Sequence, residues 1–373
     1  MSNHDYYMRL CLGLARQAIG KTSPNPMVGA VVVRDGQIVG QGFHPQAGQP
    51  HAEVYALKEA GELARGATLY VNLEPCNHYG RTPPCTEALI SAGVERVVVG
   101  MVDPDERVQG RGIQRLREAG IEVIYPVIEA ECLRLNEAFV YRSQHKLPLG
   151  ILKYAMTLDG KIAANSGHSS WVTGPEARQW VHRLRSTCDA VVIGGNTLRR
   201  DNPLLTTHGQ TDHNPLRVVM SRSFNLPSQA QLWDTKVAST VVFTLPEADP
   251  LLASQISSLG VEVVRLGTLN PLVVMQSLYD RGCSAVLWEG GGSLAARAIS
   301  LGVIQKVYAY IAPKIIGGTG QFSPVGDLGL SLMTEAIDLR DFQLHTIGRD
   351  ILIEGYLDRP APKVTQGSNN VSD

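Results

Sequence analysis

Three short segments of this chain, Pro50-His51-Ala52-Glu53, Leu73-Glu74-Pro75-Cys76 and Pro83-Pro84-Cys85, bring an imidazole, a carboxylate and two thiols close together in sequence. One nitrogen and two sulfurs fill three positions of a tetrahedral zinc shell, and three protein ligands with one place left for water is the arrangement of a catalytic zinc. Any fold that uses them must therefore bring three separate segments to one point. Zinc would lower the pKa of its water from about 15.7 towards about 7, so hydroxide becomes available near neutrality. Glu53 stands two residues from the imidazole, a carboxylate within reach of such a site. Residues i and i+2 do not share a helix face, so His51 is expected at the very start of a helix over 51–60, its ring turned back beside Glu53. The alternative is two buried cysteines and a surface histidine, since free cysteine is among the most buried residue types. His78 is a competing ligand; His51 is preferred because it carries the glutamate at the right offset.

The His-x-Glu and Pro-Cys elements resemble the signature of zinc nucleobase deaminases, in which a glutamate that is not a ligand moves the protons. The spacing departs from it: eight residues, Asn77 to Pro84, separate the cysteines here where the common pattern has two.

Around these segments the pattern alternates. Helix spacing over 4–19 is broken by Thr22-Ser23-Pro24-Asn25-Pro26, and the runs 28–33 and 38–43 flank an Asp35-Gly36 hairpin signal. Helix 51–60, strand 68–72, helix 85–92, strand 96–101, helix 113–119, strand 122–125 and helix 129–141 follow. Such alternation predicts an α/β layer sandwich, with ligands gathered at the carboxyl ends of strands. A chain of 373 residues is too long for one ordinary core. The polar break over 142–148 places a domain boundary at about 146, giving domains 1–146 and 147–358 and a disordered polar tail over 359–373.

A formal charge of −1 without a Lys/Arg run weighs against a nucleic-acid partner and towards a small-molecule substrate. The N-terminus lacks the basic and apolar regions of a signal peptide, and no apolar run approaches the ~20 residues of a membrane span. Six scattered cysteines suggest no disulfide framework, which fits a reducing cytoplasm.

In the second half, strands are expected at 149–157, 190–193, 217–220, 240–244, 262–266, 285–288, 307–311 and 351–356, with helices at 176–186, 272–280 and 294–301. Two strands run into glycines, at Gly194-Gly195-Asn196-Thr197 and at Glu289-Gly290-Gly291-Gly292-Ser293. Glycines let backbone amides approach a phosphate, although neither run is the dinucleotide fingerprint. Ser221-Arg222-Ser223 after the 217–220 strand could hold an extra phosphate, which would favour NADP over NAD, or could simply be solvated surface.

Taken together, the halves resemble the bifunctional riboflavin-biosynthesis family, a pyrimidine deaminase fused to a pyrimidine reductase. The resemblance rests on Ser23 to Ala30, His51-Ala52-Glu53 and Glu74 to Cys85, whose long insert belongs to this family. It rests equally on Lys153 to Gly160, Ser170 to Arg178, Asp201-Asn202-Pro203, Glu289 to Gly292 and Ala312-Pro313-Lys314. It implies a cytidine-deaminase-like three-layer α/β/α domain followed by a dihydrofolate-reductase-like α/β domain. It further implies one Zn2+ and NADPH, acting in turn on a phosphoribosylaminopyrimidine. His51, Cys76 and Cys85 would be the zinc ligands and Glu53 the proton donor. Asn25, His44, Arg81 and Asp103 would line the deaminase pocket. Ala155, Trp171, Thr197, Asp201 and the run Gly291, Gly292, Ser293, Leu294, Ala295, Ala296 and Arg297 would meet NADP. Ser169, Arg185, Leu205 and Glu289 would meet the reductase substrate, and a homo-oligomer is expected. His208 stands where the family pattern has arginine, and Asp105-Glu106 replaces the usual Asn-Pro. Competing readings are a nucleoside or tRNA deaminase with an accessory second half, and a zinc-stabilised binding protein, which would need a fourth ligand.

Overall fold

The computed structural model describes residues 3–79, 83–106, 108–318 and 322–362, and the chain divides into two compact units, residues 1–144 and 145–373. In the first, α1 (Asn3–Ala15) buries Tyr7, Met8, Cys11, Leu12 and Ala15 along one face. The helix expected to reach residue 19 stops four residues early and continues only as a 3-10 turn over Arg16–Ala18. β1 (Gly29–Arg34) and β2 (Gln37–Phe43) form the expected hairpin, with both Asp35 and Gly36 at positive φ. There follow α2 (Ala52–Ala60), β3 (Thr68–Leu73), α3 (Cys85–Ala92), β4 (Arg96–Met101), α4 (Arg111–Glu118), β5 (Glu122–Ile124), α5 (Glu129–Leu135) and α6 (Glu137–His145).

The five strands lie in the order β2-β1-β3-β4-β5, antiparallel from β2 to β3 and parallel from β3 to β5. Helices cover both faces. A Cβ on Gly40 would stand 2.2 Å from Ala56 O in α2, and one on Gly29 would stand 2.1 Å from Cys11 O in α1. Gly40 pairs with Val32, three residues along β1 from Gly29, so α1 and α2 lie on opposite faces. The unit is a three-layer α/β/α sandwich.

The single helix expected over 129–141 is two helices, and the break has a cause. Asn136 turns its side chain onto Met27: Oδ1 accepts the Met27 N–H at 2.8 Å and Nδ2 donates to the Met27 carbonyl at 3.0 Å. Asn72 on β3 also donates to that carbonyl, at 3.0 Å, and accepts the Gly29 N–H at 2.8 Å. An asparagine that binds a distant backbone group gives up helical continuity to do so. Beyond it α6 runs through the polar stretch to His145, where a break from residue 142 was expected.

The second unit contains β6 (Leu149–Thr157), α7 (Pro175–Ser186), β7 (Ala190–Gly194), α8 (Gly195–Asp201), β8 (Leu216–Met220), β9 (Thr240–Thr244), α9 (Pro250–Ser258), β10 (Glu262–Arg265), α10 (Pro271–Asp280), β11 (Ala285–Trp288), α11 (Gly292–Ser300), β12 (Lys306–Ala312), β13 (Leu339–Ile347) and β14 (Asp350–Leu357). They form one nine-stranded sheet, β10-β9-β8-β7-β11-β6-β12-β14-β13. All pairings from β10 through β12 are parallel, and β14 and β13 add an antiparallel edge. From β7 the chain builds outward through β8, β9 and β10, then returns so that β11 lies on the other side of β7. That reversal makes a crevice at the carboxyl ends of β7 and β11.

Elements α9 and β13 were not expected, and α8 was left open between a helix and a turn after the Gly194-Gly195 run. α8 is a seven-residue helix, too short to show a period, and β13 exposes residues on both faces. The expected tail lies outside the described residues from 363 onward.

Replacing Asn136 by alanine should leave the Met27 N–H without its partner. The expected loss is about 1–3 kcal/mol of stability in the first unit, read by urea unfolding.

Candidate functional site

In the first unit, His51 is the N-cap of α2 with extended backbone (φ −75°, ψ 165°), which places Glu53 in the first helical turn. Cys76 follows β3, and Cys85 opens α3 directly after Pro84. His51 Nδ1 lies 3.2 Å from Cys85 Sγ and 3.5 Å from Cys76 Sγ. With ordinary zinc–nitrogen and zinc–sulfur bond lengths, the edge between two ligands of a tetrahedral shell is about 3.5 Å. Among the described residues these three are the group brought together in a metal-binding arrangement. His78 lines the neighbouring pocket but does not belong to that group.

One of the two sulfurs is already a thiolate in the metal-free site, and the other keeps its proton and shares it with the first. A Cys85 S–H and the His51 ring both stabilise the Cys76 thiolate against the opposing effect of burial, drawing that thiol down to about 4. The Cys85 N–H donates to Cys76 Sγ as well, at 3.3 Å.

Glu53 is 3% exposed, and its Oε2 has no hydrogen-bond partner. Burial pushes its carboxyl up, the Cys76 thiolate adds to this, and His51 pulls back. Glu53, His51 and Cys76 share a cavity of about 560 Å³ with Asn25, His44 and Asp103. Asn25 Nδ2 lies 3.1 Å from His44 Nε2, while His44 Nδ1 lies 3.1 Å from Pro50 O. A carbonyl only accepts, so Nδ1 carries the hydrogen, Nε2 accepts from the amide, and Asn25 keeps its Oδ1 for the pocket. Burial pushes the Asp103 carboxyl up to about 6, against the lowering effect of the Asp105 N–H that it accepts at 2.8 Å. Cys85 is buried behind the cavity. Arg81 lies outside the described residues.

In the second unit, the crevice at β7 and β11 opens into a cavity of about 960 Å³. Thr197, Asp201, Ser221, Gly291, Gly292, Ser293, Leu294, Arg297 and Ser169 line it. The two last glycines differ. A Cβ on Gly292 would stand 2.4 Å from Ser323 O, so that residue is fixed by packing, whereas Gly291 has open space where a Cβ would be. The open cradle at the N-terminus of α11 suits a phosphate-bearing cofactor. Ala295 and Ala296 were expected to join this run but are buried on the inner side of α11, as the helical period requires. Ala155 and Trp171 also lie outside the lining; Trp171 is exposed and stacks beneath the Arg178 guanidinium at 4.4 Å.

A separate buried cluster joins α7, β6 and the end of β11. Arg185 makes a two-pronged pair with Glu289, at 2.7 Å and 3.1 Å, and donates to Thr206 O at 3.0 Å. Lys153 Nζ lies 3.5 Å from Glu289 Oε2. Burial alone would raise the Glu289 carboxyl, and the two cations more than reverse it, holding it down at about 2. Burial lowers the Lys153 ammonium, with Glu289 pulling back. Leu205 is buried at positive φ beside Thr206. His208 stacks on His182 at 4.0 Å, and burial, followed by the charges of His208 and Arg185, lowers the His182 ring to about 4. Lys153 was assigned no role from sequence, although a lysine well inside an apolar strand was a usable signal.

Residues 1–101 match the cytidine and deoxycytidylate deaminase zinc-binding region, and residues 148–353 match the RibD C-terminal domain. The chain is similar to the riboflavin biosynthesis protein RibD of Synechocystis sp., 61% identical over 96% of this chain and 97% of that protein. It is also similar to RibD of Escherichia coli, 36% identical over 94% of this chain and 98% of the other. Among solved structures it resembles Acinetobacter baumannii RibD, with TM-score 0.85 and 35% identity over 95% of this chain and 99% of that one. It likewise resembles a diaminohydroxyphosphoribosylaminopyrimidine deaminase/5-amino-6-(5-phosphoribosylamino)uracil reductase from Thermotoga maritima, with TM-score 0.83 and 35% identity over 95% and 98%.

The depressed Glu289 carboxyl fixes a sign. Its folded value, about 2, lies below the ordinary 4.5, so the stability it contributes is present above about pH 4.5 and is lost as pH falls towards 2. Glu289→Gln, which strands two buried cations, should cost about 3–5 kcal/mol at pH 6. The gap to the parent protein should narrow below pH 4.5 in urea titrations of the second unit.

Proposed function

Since this chain belongs to the RibD family of riboflavin-biosynthesis proteins, we propose how its residues divide the family's two reactions. It is a bifunctional enzyme. Zinc-dependent hydrolytic deamination of 2,5-diamino-6-(5-phosphoribosylamino)pyrimidin-4(3H)-one comes first, and NADPH-dependent reduction of the ribose to a ribityl chain follows. The observation that carries the reading is the convergence of His51, Cys76 and Cys85 beside the buried Glu53 carboxylate, whose Oε2 has no partner.

His51, Cys76 and Cys85 are the proposed zinc ligands, and zinc held by them supplies a Lewis acid that acidifies a coordinated water. Deamination exchanges a ring amino group for oxygen, consumes one water and releases ammonia. Its protons must travel from the water to a ring nitrogen and to the departing amine. Glu53 is the proposed carrier, because its free Oε2 is dry and holds a proton more readily than an exposed carboxylate does. Asn25, held by His44, offers an acceptor to the pyrimidine, and Asp103 forms part of the same cavity's wall. Arg81 is proposed as a further substrate contact.

In the reductase, NADPH supplies the hydride. Thr197, Asp201, Ser221, Gly291 to Leu294 and Arg297 are the proposed cofactor contacts, and Ala155, Trp171, Ala295 and Ala296 are left out of the set because they do not line the cavity. Ser221 stands at the carboxyl end of β8, where the extra phosphate of NADPH would lie. Ser169, Arg185, Leu205 and Glu289 are proposed to hold the substrate. Reduction also needs one proton. Arg185 does not give one up, whereas Lys153, lowered by burial, does so more easily, which makes it the proton donor of the buried cluster.

The protein is also proposed to be a cytoplasmic homo-oligomer. Its six cysteines form no disulfide, as a reducing compartment leaves them. The β13–β14 edge exposes Phe342, Leu344 and Ile351 on one face of the sheet, apolar surface of a kind that a second copy covers.

The testing assay supplies full-length protein with zinc, NADPH and the diaminopyrimidinone ribosyl phosphate, and follows ammonia release and nicotinamide absorbance together. Both signals are expected in equal amounts. Glu53→Gln should lower ammonia release by about 10²–10⁴-fold while zinc content and reduction of supplied deaminated substrate persist. Undiminished turnover in that variant would remove Glu53 from its role. Leu344→Glu should shift the mass in sedimentation equilibrium to a single chain, and an unchanged mass would reject this edge as the interface.

A further inference from the structure

Glu74 follows the last residue of β3 and precedes Pro75-Cys76, and it is 6% exposed. Its carboxylate is committed to the backbone of another segment. Oε2 accepts the N–H groups of Asp103 at 3.1 Å and Gly110 at 2.9 Å. Oε1 accepts those of Gly112 at 2.9 Å and Ile113 at 3.3 Å. These four amides bracket the stretch between β4 and α4, from which Asp103, Asp105 and Val108 line the deaminase cavity.

The N-cap of α4 is Gly110, which has no side chain to close the free N–H groups of the first turn. Glu74 closes them from a neighbouring strand, and a carboxylate at the positive end of a helix is favourable in charge as well. Gly112 sets how closely α4 seats: a Cβ there would stand 2.1 Å from Pro75 O and 3.2 Å from Glu74 Oε1. Residues 74 to 76 therefore hold the cavity wall at one end and a zinc-ligand thiol at the other.

We propose that Glu74 is a positioning residue of the deaminase, whose carboxylate sets the distance between the Pro75-Cys76 turn and the Asp103 wall of the substrate pocket. The proposal rests on the reading of Asp103 as a substrate contact. All four donors are N–H groups, so only a group that accepts through both oxygens serves. A glutamine would turn its own N–H2 towards one pair of amides and release it.

Three variants of the full chain test this. Glu74→Gln and Gly112→Ala should each raise the deaminase KM about tenfold or more, as small displacements of a binding wall do. In both, kcat should stay within about twofold, zinc should remain at the parental stoichiometry, and NADPH oxidation on supplied deaminated substrate should be unchanged. Gly112→Ala moves α4 without altering the carboxylate, so agreement between the two supports positioning over charge. An unchanged KM in both overturns the proposal. Joint loss of zinc and kcat in Glu74→Gln also overturns it, since Glu74 would then serve the metal turn. Asp103→Asn separates the two levels. If it alone raises KM, only the positioning role fails, and if it leaves KM at the parental value, the substrate-wall reading fails with it.

Discussion

Parallel pairing is the constraint on which both units depend. Strands that run side by side in one direction end at one edge, and the turns that follow them are crowded there. In the first unit, β3 and β4 are such a pair, so Glu74 to Cys76 and Asp103 emerge together. In the second, β7 and β11 end side by side with their glycine turns, and β6 beside β11 brings Lys153 to Glu289. Residues far apart in sequence meet because the ladder delivers them, and ligands gather at that edge for the same reason.

Much of this was legible because the signals were local. The Asp35-Gly36 turn, the strands 96–101, 149–157, 240–244 and 285–288 and the helix 85–92 fall where hydrophobic period and turn residues place them. So does His51 at the start of α2, because a ring two residues from Glu53 has to lie outside the helix. What was not legible depends on partners distant in sequence. Nothing around Asn136 announces that its amide will bind Met27, 109 residues away, and split a helix. Nothing around Glu74 announces four amides from 103–113. α9 is a different case: Asp249 accepts from the N–H groups of Leu251 and Leu252, with Pro250 at the first helical position, so the capping signal was present but went unread. β13 carries only a short alternation, Phe342-Gln343-Leu344-His345, and that too went unread.

The same distinction separates the side chains of the sites. Residue type marks His51, Cys76 and Cys85 as the proposed zinc ligands, and the offset from His51 marks Glu53 beside them. In the reductase, glycines mark the two turns but do not mark which neighbours face the cavity. Helical geometry turns Gly291 to Leu294 and Arg297 towards it and Ala295 and Ala296 inward. A contiguous run in sequence thus becomes an interrupted one in space.

Two glutamates show how environment divides roles between identical groups. Glu53 and Glu289 are both almost fully buried, and burial acts on both carboxyls in the same direction, upward. Around Glu53 the Cys76 thiolate reinforces that direction more than His51 opposes it, and Oε2 is left without a partner. Around Glu289, Arg185 and Lys153 reverse it, and both oxygens are bound. A carboxyl whose proton affinity is raised, with a free oxygen facing a cavity, is suited to carry protons near neutral pH. A carboxylate held between two cations keeps its charge throughout that range and fixes the groups around it instead. In the metal-free protein these neighbours set opposite proton affinities for two equally buried carboxyls, and a Zn2+ held beside Glu53 would draw that carboxyl down again by its own charge.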